Sequence, residues 1–203
     1  MKNFKLIQES KHIIILLFIM FLIGVIIGSF TAKFLTDEQG LKLTDYIITN
    51  LYSADKYDTQ SMTNTERLLN YILNDFQVYL ITAVFALTIL AIPFCFLITL
   101  YKGFIIGFTS AFLIKTTMTK GILFILVAVL PQNTLRIILL IFCNIFVIKY
   151  ALQKKHFSLD NKKRNAFKLM TIILITFLLN ISVNLIEAYV TPQLIKIFSV
   201  YLT

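Results

Sequence analysis

Along most of this chain apolar residues follow one another without the regular polar interruptions that mark the exposed face of a soluble helix. Four tracts carry the pattern: Ile13 to Phe34, Val78 to Leu100, Gly103 to Ile148 with Lys115 and Lys120 inside it, and Phe167 to Ile186. About 20 apolar residues are needed to cross a hydrocarbon core about 30 Å thick at 1.5 Å per residue. The pattern therefore predicts membrane spans at about 12–35, 77–100, 103–119, 120–149 and 167–190. Dividing the longest tract leaves its first part short, so that span three crosses only if Lys115 snorkels toward the surface. It leaves span four with about 45 Å of potential helix, longer than a bilayer requires. Pro131 lies where such a helix would kink or break. A re-entrant hairpin over 103–130 is the alternative, and it would move the basic segment 150–166 to the opposite side.

Two further segments carry helical spacing. In the polar stretch 36–76, Leu68, Leu69, Ile72 and Phe76 recur on one face after a capping Thr63 or Asn64, predicting a short amphipathic helix on the outer surface. The first half of that stretch reads as loop, with one helical turn around Asp45 to Leu51. In the tail 191–203, Leu194, Ile195 and Phe198 form the apolar face of an interfacial helix. The expected fold class is all-α. It is a polytopic integral membrane protein forming a single transmembrane domain, with about five transmembrane helices and a kinked or broken fourth span.

Composition agrees. Of 203 residues, 58% are hydrophobic and 14% charged, against about 25% charged in soluble domains; the mean hydropathy is +0.84. The formal net charge of +9 would point to nucleic acid in a soluble protein, but here sign is segregated along the chain. Seven of the ten acids fall between Thr36 and Phe76, whereas Lys154, Lys155, Lys162, Lys163, Arg164 and Lys168 cluster around one acid, Asp160. The positive-inside rule then places the N-terminus and the basic loop in the cytoplasm, and the acidic segment and C-terminal tail outside. No nucleic-acid partner is needed; the partner that composition requires is the lipid bilayer. Lys2, Lys5 and Lys11 imitate the basic start of a signal peptide, but the apolar run that follows far exceeds the roughly 7–15 residues of a signal core. The first span is expected to be a retained anchor.

Candidate chemistry is sparse. Cys95 and Cys143 sit in apolar tracts, His12 and His156 sit at span borders, and neither a metal-ligating cluster nor a nucleotide or hydrolase motif occurs. The expectation is a protein that is not an enzyme and uses no cofactor or metal.

Two constellations remain. Gly24, Gly28 and Ala32 in one span and Gly103, Gly107 and Ala111 in another place small residues four apart, which permits close helix approach. Packing within the bundle is the plainer use; contact with a partner or a second copy in a homo-oligomer is the other. The second constellation is polar and lies within the membrane. Asn133, Arg136 and Asn144 lie near one face of span four, Asn180, Asn184 and Glu187 follow i, i+4, i+7 on span five, and Gln132 stands beside Pro131. An intramembrane charge costs about 2.5–3.5 kcal/mol even on the mildest scale, so Arg136 and Glu187 are expected to find each other, carbonyls or water. Their depths differ unless the break at Pro131 lowers the start of span four. Helix-to-helix fastening is the expected role, and a substrate pathway the alternative.

The segments K-G-F-I-I-G-F-T-S-A-F-L at 102–113, L-P-Q-N at 130–133 and E-A-Y-V-T-P at 187–192, in this order after one N-terminal span and a long outer segment, resemble the stage II sporulation protein M family. The family-pattern positions are Lys102, Gly103, Gly107, Pro131, Gln132, Asn133, Glu187 and Pro192; Ser110-Ala111 stands where the pattern has a second glycine. The resemblance implies a multi-pass protein of the mother-cell membrane at the sporulation septum in endospore-forming bacteria. There it would act in engulfment as a non-enzymatic scaffold that recruits the peptidoglycan-degrading stage II sporulation proteins D and P. The alternative that the residues leave open is a small-solute transporter or channel subunit using the intramembrane polar set.

Overall fold

The structure, a computed structural model, describes residues 2–36, 40, 64–88, 90–124, 130–154 and 159–202, with side chains over 11–36, 40, 65–88, 90–116, 130–154 and 162–190. The described residues form five helices: α1 (Lys2–Lys33), α2 (Asn64–Ala86), α3 (Ala91–Phe124), α4 (Leu130–Gln153) and α5 (Leu159–Leu202). Each contains a stretch long and apolar enough to cross a membrane: Lys11–Lys33, Thr65–Ala86, Ala91–Thr116, Leu130–Gln153 and Lys162–Val190. The chain is an all-helical, multi-pass membrane protein.

Several boundaries differ from the sequence pattern. The chain reverses at 87–90, not at Tyr101 and Lys102, which lie inside the unbroken α3. The reversal is made by Thr88, whose amide and hydroxyl both donate to the Phe85 carbonyl at 2.8 and 2.7 Å. Pro93, in the first turn of α3, starts that helix without an amide hydrogen to satisfy. Lys102 looked like a surface marker because a lysine inside a span is costly; the fold supplies it with a carboxylate instead. For the same reason the segment 64–76 is not a separate surface helix. It is the first half of α2, a helix long and apolar enough to span, whose Asp75 points inward.

The over-long fourth span is likewise divided between two helices. Residues 121–124 belong to α3, and α4 starts at Leu130 with Pro131 in its first turn. Pro131 thus stands in a first helical turn, where a proline costs least. At the chain's end, α5 continues through Pro192 to Leu202 instead of giving way to a separate interfacial helix. The helical turn expected around Asp45 to Leu51 and the basic residue Lys155 lie outside the described residues.

The reversal at 87–90, the end of α4 and the start of α5 share one end of the bundle, where the Lys154 ammonium donates to the Leu87 carbonyl. This basic end holds the apolar core: Leu17, Ala86, Ala91, Cys95, Cys143, Val147 and Leu169 are all buried. Phe85 and Phe94 stack with centroids 4.5 Å apart across the reversal, and Tyr79 meets Phe177 at 5.5 Å between α2 and α5. The two free cysteines are buried members of this core.

Helices α1 and α3 pack through their glycines. A Cβ added at Gly24 would fall on the backbone of Leu100 and Phe104, at Gly28 on that of Phe104 and Phe108, at Gly103 on Phe21, and at Gly107 on Val25. The contacts rise in step along both helices, so the pair is parallel. Ser29 Oγ donates to the Gly107 carbonyl at 3.2 Å, and near the far end Lys115 Nζ donates to the Leu35 carbonyl at 3.1 Å. Ala32 is buried and Ala111 half-buried. The two small-residue faces therefore meet each other within one chain.

A charged joint inside the membrane as candidate functional site

Asp75 lies eleven residues from each end of α2, and Lys102 eleven residues into α3. At 1.5 Å per residue both stand about 16 Å from the reversal that joins the helices, near mid-membrane. Arg136 is six residues into α4, and Glu187 is three residues before the end of the apolar stretch of α5. At these positions Arg136 stands at the level of Glu187, and the two form an ion pair.

The side chains close into one network. Arg136 also donates to Asn184 Oδ1. Asn180 Nδ2 and Asn184 Nδ2 donate to Asp75 Oδ2 at 2.7 and 2.9 Å. The second Asp75 oxygen faces Lys102 Nζ at 3.9 Å, and Arg136 Nε lies 3.9 Å from Oδ2. Tyr71, one turn before Asp75, places its ring 5.7 Å from the Arg136 guanidinium. Two acids and two bases thus balance within a cluster contributed by four helices. Asp75 is 6% exposed, Asn180 3% and Asn184 0%, so charge neutrality is essential to the packing.

The positions marked in the sequence separate into three groups. Arg136, Asn180, Asn184 and Glu187 enter the network directly. Asn133 lines the pocket beside it, while Gln132 is half-buried and Pro131 exposed at the head of α4. Asn144 belongs elsewhere: it is fully buried toward the basic end, donating to Thr99 Oγ1 at 3.0 Å and to the Cys95 carbonyl at 3.4 Å. The side chain of Pro192 lies outside the described residues. Sequence reasoning placed Asp75 in the outer acidic segment and Lys102 at the opposite surface; the structure joins them. The available signal was the spacing Tyr71, Asp75, Tyr79, one face of a continuous helix whose only other acid is Glu66.

The Asn144 contact is a small fastening. Interhelical hydrogen bonds in membranes average about 0.6 kcal/mol, and Asn144 Oδ1 is buried without a hydrogen-bond partner. Asn144→Leu is therefore expected to change the unfolding free energy in mixed micelles by less than about 1 kcal/mol.

The pocket has a volume of about 130 Å³ and is lined by Asp75, Tyr79, Lys102, Asn133, Arg136 and Asn180 among others. Among the described residues no group of three or more His, Cys, Asp or Glu could hold a metal ion.

Fold and site together define a five-span helical membrane protein fastened by an intramembrane charge network. The family model of stage II sporulation protein M matches residues 17–192, and the chain belongs to that family. It is a sporulation-related membrane protein, and the family is not known as one of enzymes. No match is found among curated proteins or among solved structures.

Proposed function

We propose that the protein is a membrane scaffold of the sporulation engulfment machinery, recruiting peptidoglycan-degrading partners to the engulfing mother-cell membrane. The observation that carries this reading is the internal use of the intramembrane polar residues. Arg136, Glu187, Asp75, Asn180 and Asn184 bind one another across α2, α4 and α5. The small-residue faces of α1 and α3 are likewise occupied by each other, which removes the sequence reason for using them on a second copy. Recognition is then assigned to the acidic stretch 36–63 between α1 and α2. The positive-inside rule puts the basic end, with Lys154, Lys162, Lys163 and Arg164, in the cytoplasm and that stretch outside, where the cell wall lies.

The partners named by family resemblance are stage II sporulation proteins D and P. Because Asn64 begins a span, only 36–63 is replaceable without cutting into the bundle. Substituting those residues with a flexible linker is expected to reduce co-purification of both partners from sporulating cells at least tenfold, with the protein's own membrane level unchanged. Undiminished recovery would move partner recognition to the spans.

One observation favours a second reading, a small-solute transporter or channel subunit: the polar pocket itself, at mid-membrane and beside Lys102. Polar cavities at that depth are where transported solutes bind. Solute flux into liposomes above that of protein-free vesicles would support it.

A further inference from the structure

Lys102 has an ionic partner but no hydrogen-bonded one among the described residues. Its side chain is 31% exposed, and its one polar partner among the described residues is Asp75 Oδ1 at 3.9 Å, beyond hydrogen-bonding distance. An ammonium carries three N–H donors and no acceptor. Among the described residues none of the three meets an acceptor in hydrogen-bonding range, although the group lines a pocket of about 130 Å³. Asp75 cannot fully compensate, because its other oxygen already accepts from Asn180 and Asn184. Glu187 is not among the pocket-lining residues; it is engaged with Arg136. Arg136 is held by Glu187 and Asn184, so the charge that faces the pocket with a single distant counter-ion is Lys102. Along α4 its lining runs from Leu140 up to Asn133, the fourth residue of that helix. It thus extends from mid-membrane to within a turn of the end opposite the basic loop.

We propose that this pocket is a hydrated site for a small anion, with the Lys102 ammonium as its principal ligand and water filling the remaining space. A dry pocket would leave three donors of a cation unsolvated, at a cost of several kcal/mol. Water supplies the missing acceptors, and a carboxylate-sized or halide anion supplies them together with a closer counter-charge than Asp75 Oδ1 at 3.9 Å. An ammonium whose counter-ion is distant, set in low-dielectric surroundings, attracts an anion more strongly than it would in water.

The test is thiol modification in nanodiscs of zwitterionic lipid, which expose both membrane faces. Ile106 lines the pocket one helical turn from Lys102, and Val78 lines it from α2. Each is replaced singly by cysteine; the parent protein, whose Cys95 and Cys143 are both buried, provides the baseline. The probes are the anionic 2-sulfonatoethyl and the cationic 2-trimethylammonioethyl methanethiosulfonates. Both form a mixed disulfide with the thiolate and release methanesulfinate, and their rates are normalised to those with free mercaptoethanol. The expected result is reaction at Ile106→Cys and Val78→Cys, with the anionic probe faster by about tenfold and the preference abolished by adding Lys102→Gln. Two results would overturn the proposal. One is failure of both water-soluble probes while membrane-permeant N-ethylmaleimide reacts, which marks a dry, lipid-facing groove. The other is reaction with no anionic preference, or with a preference that survives Lys102→Gln.

Discussion

Replacing Arg136 with methionine is expected to lower the unfolding free energy in mixed micelles by about 3–5 kcal/mol, the usual cost of removing one partner from a buried ion pair. Methionine keeps most of the apolar bulk, so the loss is electrostatic. It leaves the carboxylate of Glu187 without its cation and removes the donor to Asn184 Oδ1. It also leaves Asp75 with Lys102 as its sole nearby cation, 3.9 Å away. Two acids against one base then share a low-dielectric space, and the network no longer balances. Glu187→Gln is milder, because the amide can still accept from Arg136 and the remaining carboxylate, Asp75, still faces two cations. If Arg136→Met costs less than about 1 kcal/mol, the cluster is solvated in the manner of a surface ion pair.

The second large effect is steric. Gly28→Val would drive a branched side chain into the Phe104 carbonyl and the Phe108 amide of α3. Backbone atoms cannot rotate away, so the helices must separate, and every contact along their parallel seam weakens together. Overpacking usually costs about 1–3 kcal/mol, and a clash with main chain belongs at the upper end. Gly24→Val should behave alike, against the Leu100 carbonyl and Phe104 amide. Gly40→Val is the control, since a Cβ there would meet nothing within 4 Å. Unfolding midpoints in detergent should fall for the first two variants and stay within error for the third.

How far the sequence could be read depended on whether a residue's environment is local. The five spans follow from runs of apolar residues, each a property of its own segment, and the two glycine patterns likewise showed which faces allow close approach. That α1 and α3 use those faces on each other is a matter of tertiary arrangement, which periodicity does not encode. The same holds more sharply for the charges. Asp75 and Lys102 each look prohibitive in a span taken alone, so hydropathy moved the membrane boundaries to exclude them. Together they are tolerable, because one supplies what the other lacks. Excluding Asp75 detached 64–76 from its span, and excluding Lys102 put the reversal at 101–102 despite Thr88 and Pro93 marking the true one. For Arg136 and Glu187 the sequence leaves each other, carbonyls or water as compensation, and only the tertiary arrangement brings them to one level as a pair.

In this account the Arg136–Glu187 pair fastens α4 to α5 and has no part in recognition. The neutral double variant Arg136→Gln with Glu187→Gln removes both charges at once, leaves the balance between Asp75 and Lys102 intact, and keeps hydrogen-bonding side chains at both positions. The decisive measurement is recovery of the proposed partners, stage II sporulation proteins D and P, with this double variant from sporulating cells, normalised to its own level in the membrane. Recovery within about twofold of the native protein, with stability closer to native than that of Arg136→Met, is the expected result. A double variant that accumulates and unfolds like the native protein yet recovers neither partner would contradict the account, because the pair would then serve recognition directly.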